Sequence, residues 1–142
     1  MWLADISYIW TDQGWLYLAC ILDLYSRLIV GWAMSHRPDR KLVLEALGMA
    51  YFRRRPPPGL LHHSDRGSQY CSHDYQQLLQ LYGITASMSR KGNCYDNAPM
   101  ESFFHSLKVE RIHDRRYATR DEAHSDVFNY VETFYNSSMQ DP

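Results

Sequence analysis

Trp2-Leu3-Ala4-Asp5-Ile6-Ser7-Tyr8-Ile9-Trp10 is a strand-like apolar run interrupted by one carboxylate. A lone carboxylate in such a run costs several kcal/mol to desolvate unless something compensates it. Two further runs rich in Ile, Leu, Tyr and Trp follow at once, so residues 2–10, 15–23 and 27–35 read as three consecutive strands. Asp12-Gln13-Gly14 and the stretch from Asp23 to Arg27 supply the turns between them. Connections this short make the three strands antiparallel.

Downstream the period changes. Residues 40–52 read as a helix with Val43, Leu47 and Ala50 on one face, and Pro56-Pro57-Pro58 cannot continue it. Residues 60–64 form a short buried strand that ends at Asp65. Ser72 can cap a helix over 73–82, whose inner face carries Tyr75, Leu78, Leu79 and Tyr82 and which Gly83 ends. A fifth strand spans 84–88. The polar stretch from Ser89 to Asn97 reads as a mobile loop. Asn97 can cap the next helix, in whose first turn Pro99 is tolerated. Thr119 and Glu122 form a capping box for a last helix that buries Ala123, Val127, Tyr130, Val131 and Phe134. The order βββαβαβαα indicates an α/β domain and does not by itself select a topology.

Composition narrows the function classes. A chain of 142 residues with 45% hydrophobic content suits one globular domain. No uncharged apolar run approaches the ~18 residues of a membrane span, and Asp5 breaks the first apolar stretch, so neither a membrane span nor a secretory signal is expected. Cys20, Cys71 and Cys94 are odd in number and far apart, which suits a reducing cytosol and gives neither a disulfide framework nor a zinc pattern. No Walker loop is present, so no nucleotide cofactor is expected. The net charge of −1 is uneven: residues 51–120 hold eleven Lys/Arg against six Asp/Glu, and residues 121–142 hold none against five. The basic share surrounds two of the acids considered next, where a phosphate backbone would lie, although solvated surface charge gives the same count.

Those acids are Asp65 and Glu101, which join Asp5 as candidate metal ligands. Thirty-five residues separate Asp65 from Glu101. Three carboxylates gripping two divalent cations would compensate a buried charge and build a phosphoryl-transfer centre. Each acid also has an ordinary reading: Asp5 as an edge-strand residue facing water, Asp65 as a turn former before Arg66-Gly67, and Glu101 as a complement to its helix dipole. His105 and Lys108 fall four and seven positions after Glu101, on the same helix face, and suit a grip on DNA. A plain surface stripe has the same spacing. Arg90, Lys91, Asn93 and Asn97, in or beside the polar loop, are candidate DNA contacts, whereas Asp96 reads as a linker residue. Arg53-Arg54-Arg55 suits either phosphate or a solvated helix end. Strand alternation puts His62 and His63 on opposite faces, so at most one points toward Asp65.

Four segments carry a resemblance: Asp5-Ile6-Ser7-Tyr8-Ile9, Leu22-Asp23-Leu24-Tyr25-Ser26-Arg27, His62-His63-Ser64-Asp65-Arg66-Gly67-Ser68-Gln69-Tyr70 and Gly92-Asn93-Cys94-Tyr95-Asp96-Asn97-Ala98. In this order they resemble the integrase core of bacterial insertion-sequence transposases, the D,D(35)E enzymes related to retroviral integrases. The resemblance runs from Trp2 to about Asn136. It implies an RNase H-like fold, a mixed five-stranded sheet flanked by helices. It implies that Asp5, Asp65 and Glu101 are the catalytic acids and hold two Mg²⁺ or Mn²⁺ ions, and that Lys108 matches the family's basic residue seven positions after the glutamate. The expected activity is metal-dependent cleavage and strand transfer at transposon ends. The expected partners are double-stranded DNA, as element ends and target, and further copies of the chain, and the expected place is the bacterial cytoplasm at the nucleoid. An RNase H-like nuclease that does not join, and a silent DNA-binding or self-associating remnant, remain alternatives.

The resemblance fades after Phe134-Tyr135-Asn136, which leaves residues 1–136 as the catalytic core and 137–142 as an atypical tail. The family's N-terminal helix-turn-helix is not seen, so an excised core with weak, largely sequence-independent DNA binding is expected. Without metal, the Glu101 side chain is expected to stand away from the other two acids.

Overall fold

A computed structural model describes residues 1–65, 67–88 and 97–139. The three N-terminal strands form as an antiparallel meander, β1 (Trp2–Thr11), β2 (Gly14–Asp23) and β3 (Leu28–Ser35). The Asp23 carboxylate shapes the second turn by accepting from the Tyr25 amide at 3.3 Å and the Ser26 hydroxyl at 2.8 Å. Helix α1 (Arg40–Arg54) carries the chain across the sheet to β4 (Leu61–Ser64). A short helix that sequence periodicity does not reveal, α2 (Ser68–Cys71), precedes α3 (His73–Leu81) and β5 (Thr85–Met88). Helices α4 (Ala98–Leu107) and α5 (Arg120–Met139) complete the chain. The expected boundaries thus hold to within two residues where sequence assigned both ends.

The sheet order is β3-β2-β1-β4-β5, with β4 and β5 parallel to β1. The sheet is therefore mixed, and β1 lies at its centre. Alternation along β1 divides the core. Leu3 and Ile9 pack with Met100, Phe103, Phe104 and Leu107 of α4 and with Val127 and Val131 of α5. Trp2 and Ala4 face the other way, toward Val43, Leu47 and Ala50 of α1 and Tyr75 and Leu79 of α3. A bulge in β3 opposite Ile21 and Leu22 turns Val30 and Gly31 both toward α1. A Cβ built on Gly31 would lie 2.3 Å from the Ala46 carbonyl oxygen and 2.8 Å from the Ala50 amide nitrogen, so helix and strand backbones nearly touch there.

Two expected caps form. The Ser72 hydroxyl accepts from the Tyr75 amide at 3.3 Å, and the Thr119 hydroxyl accepts from the Glu122 amide at 3.1 Å. The Glu122 carboxylate accepts from the Ala118 amide, one residue before the Thr119 amide that a capping box predicts. Arg53 is not free for phosphate: it pairs with Glu132 at 3.0 Å and stacks on Tyr135. Among the described residues, no helix is long and apolar enough to cross a membrane.

His62 is buried, with its Nε2 2.6 Å from the Tyr75 hydroxyl, and burial lowers its imidazole from 6.5 to about 4. The folded protein therefore resists a proton that the unfolded chain accepts below pH 6.5. Stability is expected to fall as pH drops from about 6.5 to about 4, by on the order of 3 kcal/mol. Urea midpoints between pH 7 and 4.5 check this, and a His62→Gln variant that kept the wild-type decline would refute the assignment.

Candidate active site

Asp5 sits on the α4-facing side of β1, opposite Cys20 of β2. The parallel pairing of Trp2 with His62 and of Leu3 with His63 sets an offset that, carried two residues on, brings Asp65 level with Asp5. Asp65 lies just past the C-terminal end of β4, where open α/β sheets place their ligand sites. Glu101 occupies the first turn of α4, whose apolar face Met100, Phe103, Phe104 and Leu107 presses onto the same side of the sheet. The three acids thus come from a central strand, the turn after its parallel neighbour and a helix that packs on the central strand.

The electrostatics register this proximity. The Asp5 carboxyl is raised above its ordinary 3.8, first by burial and then by the negative charges of Asp65 and, more weakly, Glu101. Two donors oppose that rise: the Ile6 amide at 2.8 Å to Oδ1 and the Asn97 side-chain amide at 3.4 Å to Oδ2. The field of both aspartates also reaches the buried Tyr70 hydroxyl, which burial pushes well up. Among the described residues, no three His, Cys, Asp or Glu side chains converge closely enough to hold one ion. The charge of Asp65 acts on Asp5 more strongly than that of Glu101 does.

Asp65 is oriented by its own turn. Its Oδ1 accepts from the Gly67 amide at 2.8 Å. A Cβ on Gly67 would approach that oxygen to 2.9 Å, so only glycine leaves the carboxylate where it is. Gly67→Ala is expected to keep the fold and to weaken Mn²⁺-dependent thermal stabilisation by about tenfold in the ion concentration required, a loss typical of disturbed outer-shell support. Titration of the melting temperature with Mn²⁺ measures it, and an unchanged curve would show that the turn does not matter.

Asn97 departs from expectation in an informative way. It holds the N-cap position of α4, yet its side chain makes no capping hydrogen bond and turns instead to Asp5. Glu101, His105 and Lys108 share one exposed face of α4, and Lys108 begins a single π-helical turn, Lys108–Ile112. The Lys108 ammonium lies 5.9 Å from the centre of the Tyr8 ring. Arg90, Lys91 and Asn93 fall outside the described residues, as does Asp96. His63 shares the Leu3 register and so faces the acids, whereas His62 faces α3; both are buried. Sequence reasoning missed Tyr70 and the Asn97–Asp5 contact. Tyr70 had a signal in the motif that contains Asp65, but the Asn97 contact spans 92 residues and had none.

The donor set is all oxygen, which suits hard divalent cations. A half-buried carboxyl raised by the charges of two others is one that a cation would relieve, so the chemistry of the donors suits such ions.

Comparison with known proteins gives a consistent result. The family model described as Integrase core domain matches residues 1–94, and a second model of the same description matches residues 101–138. The chain is 53% identical over 135 residues to Transposase InsF for insertion sequence IS3A of Escherichia coli K12, covering 95% of this chain and 47% of that protein. It is 54% identical over 136 residues to an uncharacterized 31 kDa protein of insertion element IS600 of Shigella sonnei, covering 96% and 50%. The chain thus spans about half the length of the curated relatives it matches. The HTLV-2 integrase catalytic core domain, solved in complex with magnesium in a trimeric form, superposes with a TM-score of 0.62 at 16% identity, covering 96% of this chain and 80% of that one.

Proposed function

The chain belongs to the integrase core domain family of insertion-sequence transposases and has the RNase H-like fold of integrase catalytic cores; from this we propose that it is a polynucleotidyl transferase that cleaves and joins DNA at transposon ends. The observation that carries the reading is the strand register that brings Asp65 level with the half-buried Asp5, whose carboxyl is raised by burial and by the charges of Asp65 and Glu101. A structural role for Asp5 gives no reason to crowd it with like charges in a half-buried position.

Asp5, Asp65 and Glu101 would hold two Mg²⁺ or Mn²⁺ ions, which would activate a water or a 3′-hydroxyl and hold the leaving oxygen of the phosphodiester. The chain's own residues do the rest. The Ile6 amide and the Asn97 side chain fix both oxygens of Asp5. The Gly67 amide fixes Asp65. Glu101, in the first turn of α4, would supply the third carboxylate. Lys108, one helix face along from Glu101, meets a phosphate of the bound strand, and His105 flanks it. The catalytic core spans residues 1–136. The HTLV-2 integrase core, solved in complex with magnesium, supports the choice of ion. The substrate is double-stranded DNA, the working form is a homo-oligomer, and the compartment is the bacterial cytoplasm, where the element's DNA lies.

The experiment is strand transfer of a labelled 3′-hydroxyl DNA end in Mg²⁺ or Mn²⁺, run with this chain and with the chain fused to an end-recognition domain. Joined products support the transposase. Cleavage without joining makes it a nuclease, and DNA binding with neither product makes it a silent remnant. Within this assay Lys108→Ala is expected to weaken DNA binding, to lower the slope of log affinity against log salt by about one, and to leave Mn²⁺ stabilisation intact. An unchanged slope would remove Lys108 from the phosphate.

A further inference from the structure

Past Asp5, strand β1 carries Tyr8 and Trp10 on the face opposite the acid, and Trp15 of β2 pairs across from Trp10. These rings are 56%, 58% and 41% exposed, in a chain whose other two tryptophans, Trp2 and Trp32, are buried. They form one cluster. Trp15 meets Tyr8 edge-to-face at 5.0 Å and Trp10 at 4.9 Å, so the rings brace one another. Cations stand at both ends. The Lys108 ammonium lies 5.9 Å from the Tyr8 ring, and the Arg120 guanidinium donates to the Trp15 carbonyl at 3.0 Å. Tyr8 is three residues beyond Asp5, roughly 10 Å along the strand.

We propose that Tyr8, Trp10 and Trp15 form a platform on which unpaired bases of the DNA end stack, beside the phosphate that Lys108 grips. The inference rests on the DNA-joining reading and adds a base-contacting surface to it. Aromatic faces flanked by cations are what single-stranded nucleic acid requires, since every base has a π-face and every linkage a charge. A second copy of the chain fits less well. Partly exposed rings of this kind present about 300 Å² together, against the ~800 Å² that each partner of a stable complex buries. A base fits that area, and the neighbouring cations repel their own copies while attracting phosphate.

The test uses the full chain with two duplexes of one sequence, one blunt and one with a three-nucleotide single-stranded overhang at its end. Only Trp10 and Trp15 are exposed, so overhang binding is expected to quench tryptophan fluorescence more than blunt binding does. Trp10→Leu/Trp15→Leu is expected to lose about tenfold in overhang affinity, with blunt affinity and salt slope unchanged. Tyr8→Leu, which leaves the tryptophan pair in place, is expected to lose about fivefold. Equal wild-type affinity for the two duplexes overturns the proposal. So does an equal loss on both duplexes in the variants, or a dimer that the tryptophan changes dissociate in sedimentation. Strand transfer keeps the two ideas apart. A wild type that joins DNA without preferring overhangs refutes the platform alone, whereas one that prefers overhangs but yields no cleaved or joined product supports the platform and refutes the transferase.

Discussion

Asp65→Asn is expected to abolish strand transfer, by about a thousandfold or more, while leaving the fold intact. Asp65 is exposed beyond the end of β4, and asparagine keeps an oxygen for the Gly67 amide. What it removes is a charge. Asp65 raises the Asp5 carboxyl, so the folded protein holds a proton on Asp5 above pH 3.8 that the unfolded chain has released. Stability without metal therefore falls as pH climbs from 3.8 through the raised value, and it remains lower at neutral pH. With Asp65 neutral, part of that loss disappears, and the metal-free variant is expected to melt at or above the wild-type temperature at pH 7. Its response to Mn²⁺ is expected to vanish. At an ion concentration of 100 times the dissociation constant, the wild type gains about 2.7 kcal/mol, roughly 5–10 °C at this chain length. A variant that responds to Mn²⁺ like the wild type would exclude Asp65 as a ligand.

Gly31→Ala is expected to produce the largest loss of stability of any single methyl added to the chain. The new carbon would fall 2.3 Å from the Ala46 carbonyl oxygen and 2.7 Å from the Ala50 methyl. Two of the three nearest atoms are backbone, so no rotamer change relieves the clash and α1 must lift off the sheet. Overpacking of this kind costs about 3 kcal/mol, roughly 10 °C in melting temperature. Gly48→Ala, in α1 itself, is the control. Its nearest neighbour would be the Tyr82 hydroxyl at 4.0 Å, and the better helix propensity of alanine is expected to hold or raise stability. Thermal melts of both variants decide the matter, and a Gly31→Ala melt within 2 °C of wild type, well inside the roughly 10 °C expected, would mean that the helix has room.

The two positions also mark how far the sequence could be read. The meander, the helices and the buried faces were legible because alternation and helical period are local signals, and so were the Ser72 and Thr119 caps. The family was legible because whole motifs stand in order. Contacts that depend on how distant segments meet were not. Nothing near Gly31 signals that α1 rests on its backbone, and nothing near Val30 signals the bulge that turns both residues toward the helix. The levelness of Asp5 and Asp65 follows from an inter-strand offset that neither strand encodes alone. Asn97 has the residue type of a cap, and local chemistry predicts a cap; the half-buried Asp5 offers its amide a partner that the helix amides do not outbid. The π-turn at Lys108 is likewise invisible, because it arises where the chain leaves α4 to reach α5.

Sheet order has a consequence for how the molecule assembles in time. Strands β1, β2 and β3 pair with their neighbours in sequence, and their contacts close short loops. The union of β1 with β4 joins residues sixty positions apart, Trp2 with His62 and Leu3 with His63, through only two paired positions. Loop closure makes such a contact slow to form, and so short a ladder makes it easy to undo. The meander is therefore expected to gain hydrogen-exchange protection before β4 and β5 do, and to keep it longer in the native state. Asp5 is then expected to lie on a formed meander before Asp65 is brought level with it, so the pairing of these two acids is expected to come late in folding.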